Sequence, residues 1–113
     1  MRMGEVERLT GFKAPMIRFY EKKGLFTPPK RNLRSYRLFT EGEVNELLHI
    51  KLLVGLGFKV EQIKRLKALE RSMEPRAVAA RNELLRTRLA VVENEIAHWE
   101  WARAELLKLL GER

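Results

Sequence analysis

The sequence predicts a mainly α fold: a compact unit of four helices carrying one small β-hairpin, followed by a single long coiled-coil helix. Three observations lead there. Over residues 1–72, apolar residues recur at helical spacing between glycine and proline stops. Residues 27–39 (TPPKRNLRSYRLF) break that period with two prolines, a turn-forming asparagine and strand-compatible residues. From Pro75 onward no glycine or proline occurs before Gly111, and a heptad repeat fills the interval.

Val6, Leu9, Phe12, Ile17 and Tyr20 lie near helical spacing, but Thr10-Gly11-Phe12 interrupts them. Glycine suits a helix end, so the stretch reads as helix, short turn, helix. The second helix should start near Lys13-Ala14-Pro15, because a proline in the first turn lacks only an N–H that would have been unpaired. Gly24 should end it. Residues 27–39 then form a small basic hairpin, with Asn32 in the turn and Tyr36, Leu38 and Phe39 in the returning strand. Thr40-Glu41-Gly42-Glu43 has the spacing of a capping box, which places the start of a third helix there. That helix carries Val44, Leu47, Leu48, Lys51, Leu52 and Leu56 and should stop at Gly55-Leu56-Gly57. A fourth, short amphipathic helix follows Phe58-Lys59 with Val60, Ile63, Leu66 and Leu69 inward.

In the long helix, Val78, Leu85, Val92, Trp99 and Leu106 recur at intervals of seven, and Asn82, Leu89, Ile96, Arg103 and Leu110 follow each by four. Alternating 4–3 spacing is a coiled-coil seam, and a helix of this length that exposes such a stripe is an association site. The chain is expected to dimerise through these ten residues; folding back on its own domain is the alternative. Asn82 and Arg103 weaken the seam but can fix its register.

Composition excludes several functions. The chain of 113 residues has no cysteine, which removes disulfides, thiolate metal sites and a cysteine nucleophile. No window approaches the 18 or so apolar residues of a membrane span, and the N-terminus has no signal-peptide pattern, so a soluble protein of the cytoplasm is expected. Ser35, Ser72, His49 and His98 have no supporting acid, base or ligand set around them in sequence, so neither an enzyme nor a metal or cofactor site is expected. Net charge is +8. Through Thr40 there are ten Lys or Arg against Glu5, Glu7 and Glu21, whereas the remainder is nearly neutral. Such asymmetry points the first part of the chain at a polyanion.

Met3-Gly4-Glu5-Val6, Thr10-Gly11, Ile17-Arg18-Phe19-Tyr20-Glu21, Gly24-Leu25, Arg31, Tyr36-Arg37-Leu38-Phe39-Thr40 and Leu56-Gly57-Phe58 follow one another in an order and spacing that resembles the DNA-binding domain of the mercury-resistance regulator (MerR) family. The resemblance implies a winged helix-turn-helix over residues 1–72 and an antiparallel coiled-coil dimerisation helix over residues 75–110. It implies that the second helix enters the major groove, with the hairpin as one wing and the turn before the fourth helix, around Lys59, as another. Arg18 and Tyr20 would then contact phosphates and Phe19 sugar or base edge. Tyr36 and Arg37 would touch the backbone from the wing, Lys30 and Arg31 would add charge, and Lys13 and Met16 would face bases. The sequence departs from the family pattern at the N-terminus of the second helix, where Lys13 stands in place of the usual small hydroxyl residue.

The function so implied is a dimeric transcription regulator that binds an inverted repeat in promoter DNA and distorts the spacer. Double-stranded DNA and a second copy of the chain are the expected partners, with RNA polymerase at the promoter as a further one and no membrane. The protein would be bacterial and associated with the nucleoid when bound. A module that binds nucleic acid without sequence choice, its coiled coil recruiting a partner protein, is the competing reading. Only Gly111-Glu112-Arg113 follow Leu110, where the family commonly senses its signal; a regulator without a sensor and a chain separated from its effector segment both fit.

Overall fold

The structure, a computed structural model, describes the backbone of residues 1–26, 30–31 and 37–112, and the side chains of all of these except 30, 31 and 37. Among them run α1 (Met3–Thr10), α2 (Ala14–Lys22), β1 (Lys30–Arg31), β2 (Arg37–Leu38), α3 (Glu41–Gly55), α4 (Val60–Glu70) and α5 (Pro75–Leu109). The chain divides into two compact units, Met1–Arg71 and Ser72–Arg113.

The helix ends marked by glycines and by the capping box have local chemical causes. α1 stops at Gly11, whose φ of 78° is left-handed and whose N–H reaches Glu7 O at 2.8 Å. At the end of α2 the N–H of Gly24 reaches Glu21 O, and that of Leu25 reaches Tyr20 O, both at 3.0 Å. The end of α3 repeats this double bond, Gly57 to Val54 O and Phe58 to Leu53 O. In both cases the glycine takes the left-handed turn and the apolar residue after it, Leu25 or Phe58, drops into the core. α3 opens on the reciprocal box expected from sequence: Thr40 Oγ1 accepts the Glu43 N–H at 3.1 Å and Glu43 Oε1 accepts the Thr40 N–H at 3.0 Å.

The hairpin is present as a short antiparallel pair, Lys30 opposite Leu38 and Arg31 opposite Arg37. Its return is tied to the start of the chain, because Met1 N donates to Phe39 O and Phe39 N to Met1 O, each at 2.7 Å. The core of the unit joins Val6, Ile17, Tyr20, Leu25, Phe26 and Phe39 to residues of α3 and α4. α4 buries Ile63 and Leu66, with Val60 and Leu69 half-buried at its ends.

One expectation changes in α3. Its buried face is Val44, Leu47, Ile50 and Leu53, whereas Leu48, Leu52 and Leu56 are 41%, 56% and 46% exposed. The helix carries two apolar stripes, and packing selects one of them.

The second unit is built on a helix of 35 residues, Pro75–Leu109, capped by Leu110, after which Gly111 turns left-handed and Glu112 N closes onto Leu107 O at 2.7 Å. No residue of α5 is buried. A solitary helix leaving this much leucine, isoleucine and tryptophan in water is incomplete.

Candidate nucleic-acid interface

The interface is built on α2 and the turn before it. Thr10, fully buried, donates from Oγ1 to Val6 O at 2.8 Å and accepts the Phe12 N–H at 3.2 Å, so a polar side chain inside the core satisfies the turn. The ammonium of Lys51, reaching over from α3, lies 2.9 Å from where a Cβ on Gly11 would stand. Gly11 therefore provides both a left-handed turn and room beneath a lysine. Lys64 of α4 holds the corresponding place over Gly24, 3.8 Å from its Cβ position.

α2 divides its residues sharply. Ile17 and Tyr20 are buried, and Lys13, Pro15, Met16, Arg18, Phe19, Lys22 and Lys23 are exposed. Successive residues on a helix turn by about 100°, so the three neighbours Arg18, Phe19 and Tyr20 take different positions. Arg18 faces solvent. Phe19 is partly covered by Lys23, whose Nζ sits 5.6 Å from the ring centroid, a cation–π contact that keeps a lysine on this face. Tyr20 turns inward, 4% exposed, edge-on to Phe12 at 5.2 Å and to Phe19 at 5.8 Å between ring centroids. Burial pushes its phenol pKa upward. The Tyr20 ring is enclosed in the core and packs on Phe12 of the turn, which leaves a phosphate contact from this residue to its hydroxyl alone.

Of the other residues singled out from sequence, Lys13 at the N-cap and Met16, Arg18 and Phe19 along α2 are all exposed. Lys30, Arg31 and Arg37 lie in the paired strands. Tyr36 lies outside the described residues. Lys59 is exposed at the N-cap of α4, where its N–H is taken by Gln62 Oε1 at 2.8 Å. Val78, Asn82, Leu85, Leu89, Val92, Ile96, Trp99, Arg103 and Leu106 fall along α5, with Leu110 at its C-cap. Leu89, Ile96, Trp99 and Leu106 are each more than half exposed. Asn82 Oδ1 accepts from Arg81 Nη2 at 3.2 Å.

Sequence reading missed Glu7. Its carboxylate Oε2 accepts the N–H of Ala14 at 2.7 Å, across the turn from α1 to α2. The residues are seven apart, a spacing that no local capping rule inspects. His49 also has a role that sequence did not supply, bonding α3 to α4 through Glu70 Oε2 at 2.9 Å. Among the described residues no group of three or more histidine or acidic side chains could hold a metal ion, and no helix is long and apolar enough to cross a membrane.

Residues 1–70 match the family described as MerR HTH family regulatory protein, and residues 44–109 match MerR, DNA binding. The chain is 38% identical over 102 residues to the HTH-type transcriptional regulator HmrR of Sinorhizobium medicae, covering 86% of this chain and 65% of that one. It is 32% identical over 109 residues to the HTH-type transcriptional regulator CueR of Escherichia coli, covering 96% and 80%. Among solved structures, a MerR family transcriptional regulator from Listeria monocytogenes superposes with a TM-score of 0.75 at 27% identity, over 97% of this chain and 83% of that one.

Proposed function

Because this chain belongs to the MerR family of helix-turn-helix regulatory proteins, we propose that it is a dimeric transcription regulator that binds an inverted repeat in promoter DNA. The observation that carries the reading is the outer side of α2. Arg18 and Lys22 stand exposed on a helix whose opposite side is locked into a core by Ile17 and Tyr20, with Lys13 and Lys23 exposed at its two ends. Cations on a rigid helix suit the evenly spaced phosphates of a duplex, and an α-helix fits the major groove. Arg18 serves as the phosphate clamp, and Met16 and Lys13 reach base edges. The hairpin and the Lys59 turn flank the groove on either side.

Two such helices at a fixed spacing read an inverted repeat, and α5 supplies the means of pairing them. The exposed seam of Leu89, Ile96, Trp99 and Leu106 is covered by the same seam of a second copy running antiparallel. Rigid spacing of two α2 helices on a duplex that does not match it bends or untwists the spacer, at an elastic cost on the order of several kcal/mol that the contacts offset. Action on promoter DNA places the protein in the cytoplasm, at the nucleoid when bound.

A band-shift titration across three ligands tests the reading: a duplex with the inverted repeat, a random duplex of the same length, and RNA. Preference for the repeat by about a thousandfold or more over random duplex is expected. Equal affinity for all three would show a non-specific nucleic-acid module instead.

A further inference from the structure

α2 has no cap of its own. Lys13 at its N-cap makes no side-chain bond to the helix, and no acidic residue stands in its first turn. A helix start leaves its first amides to satisfy, and those of residues 14–17 can each be followed here. Pro15 has no N–H. Those of Met16 and Ile17 both close onto Lys13 O, at 3.0 and 3.1 Å. The remaining one, Ala14, is taken by Glu7 Oε2 at 2.7 Å. Glu7 and Ala14 are both half-buried, so water competes poorly for this bond. The backbone of the same residue ends α1, because Glu7 O accepts the Gly11 N–H at 2.8 Å.

We propose that Glu7 is the positioning residue of the recognition helix. Its carboxylate caps α2 from α1 and thereby fixes the angle at which Met16 and Arg18 are presented; the functional part of this inference rests on the reading of α2 as the helix that enters DNA. A carboxylate at a helix N-terminus gains from the unpaired amide and from the positive end of the helix dipole together. The cap has a second consequence. Helix N-termini often bind phosphate through free amides, but the N–H groups of residues 14, 16 and 17 are already engaged within the protein. Phosphate recognition on this helix therefore passes to side chains, Arg18 first among them.

The test has one arm without DNA and one with it. In the full chain, the Ala14 amide should exchange slowly with solvent, and Glu7→Ala should release it, with an intermediate rate in Glu7→Gln, which keeps an acceptor oxygen but loses the charge. With DNA, Glu7→Ala should weaken binding to the inverted-repeat duplex about fivefold, the factor matching a typical lost N-cap. Affinity for random duplex and the salt slope should stay unchanged, since Glu7 touches no phosphate. Ala14→Pro deletes the donor that Glu7 serves, and in that background Glu7→Ala should cause no further loss. An Ala14 amide equally protected in Glu7→Ala would overturn the proposal. So would an undiminished loss in the Ala14→Pro background, or an equal loss on both duplexes. If the unaltered protein does not distinguish the duplexes, the promoter reading fails, and the amide exchange still decides the cap.

Discussion

Arg18, Phe19 and Tyr20 show how adjacent residues on one helix divide between solvent and core. Arg18 is exposed and cationic, Phe19 lies under Lys23, and Tyr20 is enclosed. Each position therefore has its own experimental signature. Arg18→Ala should weaken binding to every duplex by a similar factor and lower the salt slope by about 0.9 for each lost phosphate contact, or about twice that in a dimer. A loss confined to one base position would contradict the clamp. Tyr20→Ala should act through stability, costing about 3–5 kcal/mol in denaturant unfolding as large aromatic truncations in cores do. If Tyr20→Ala left the unfolding midpoint alone and altered only the salt slope, its assignment to the core would be wrong.

At the scale of elements, the first unit is held at its turns. Gly11 has a left-handed φ and the Lys51 ammonium over it. Gly11→Ala should cost roughly 1–2 kcal/mol from backbone strain alone, while the lysine, being the flexible end of a side chain, moves aside. Equilibrium unfolding measures this, and an unchanged midpoint would mean that the turn relaxes freely. The capping box makes a matching case: Thr40→Ala removes the oxygen that accepts the Glu43 N–H and should cost about 1 kcal/mol. The bond between His49 and Glu70, and the approach of Lys67 Nζ to Glu46 Oε2 at 4.0 Å, tie α3 to α4 at their exposed edge. Burial lowers the Lys67 pKa, with Glu46 opposing that shift.

For the whole molecule the decisive feature is α5, with no buried residue in 35. On the proposed reading its seam is buried against a second copy of the chain. Leu89 and Ile96 lie near the middle of the stripe in either orientation of the pair. Leu89→Glu with Ile96→Glu would bury unpaired charge, at a cost on the order of several kcal/mol. Sedimentation should then show a monomer that keeps weak, salt-sensitive DNA binding but loses its preference for two half-sites over one. A variant that stays dimeric would mean that the heptads do something else.

Much of this architecture is determined by the sequence itself. Gly11, Gly24 and Gly57, the Thr40–Glu43 box and Pro75 set helix ends through bonds spanning a few residues, so their outcome depends on little beyond their neighbours. The heptad is legible for the same reason, since a helix of known pitch converts spacing into a stripe. Other features were decided only by tertiary structure. α3 offers Leu48, Leu52 and Leu56 as readily as Val44, Leu47, Ile50 and Leu53, and only the approach of α1 and α4 determines which set leaves water. Nothing local in the sequence tells that the Tyr20 ring, rather than that of its neighbour Phe19, packs into the core against Phe12. Glu7 reads as one more surface acid until the turn at Gly11 brings it to Ala14. Helix ends are settled by local hydrogen bonding, whereas the choice of face, burial and capping across a turn depends on which elements come to lie side by side.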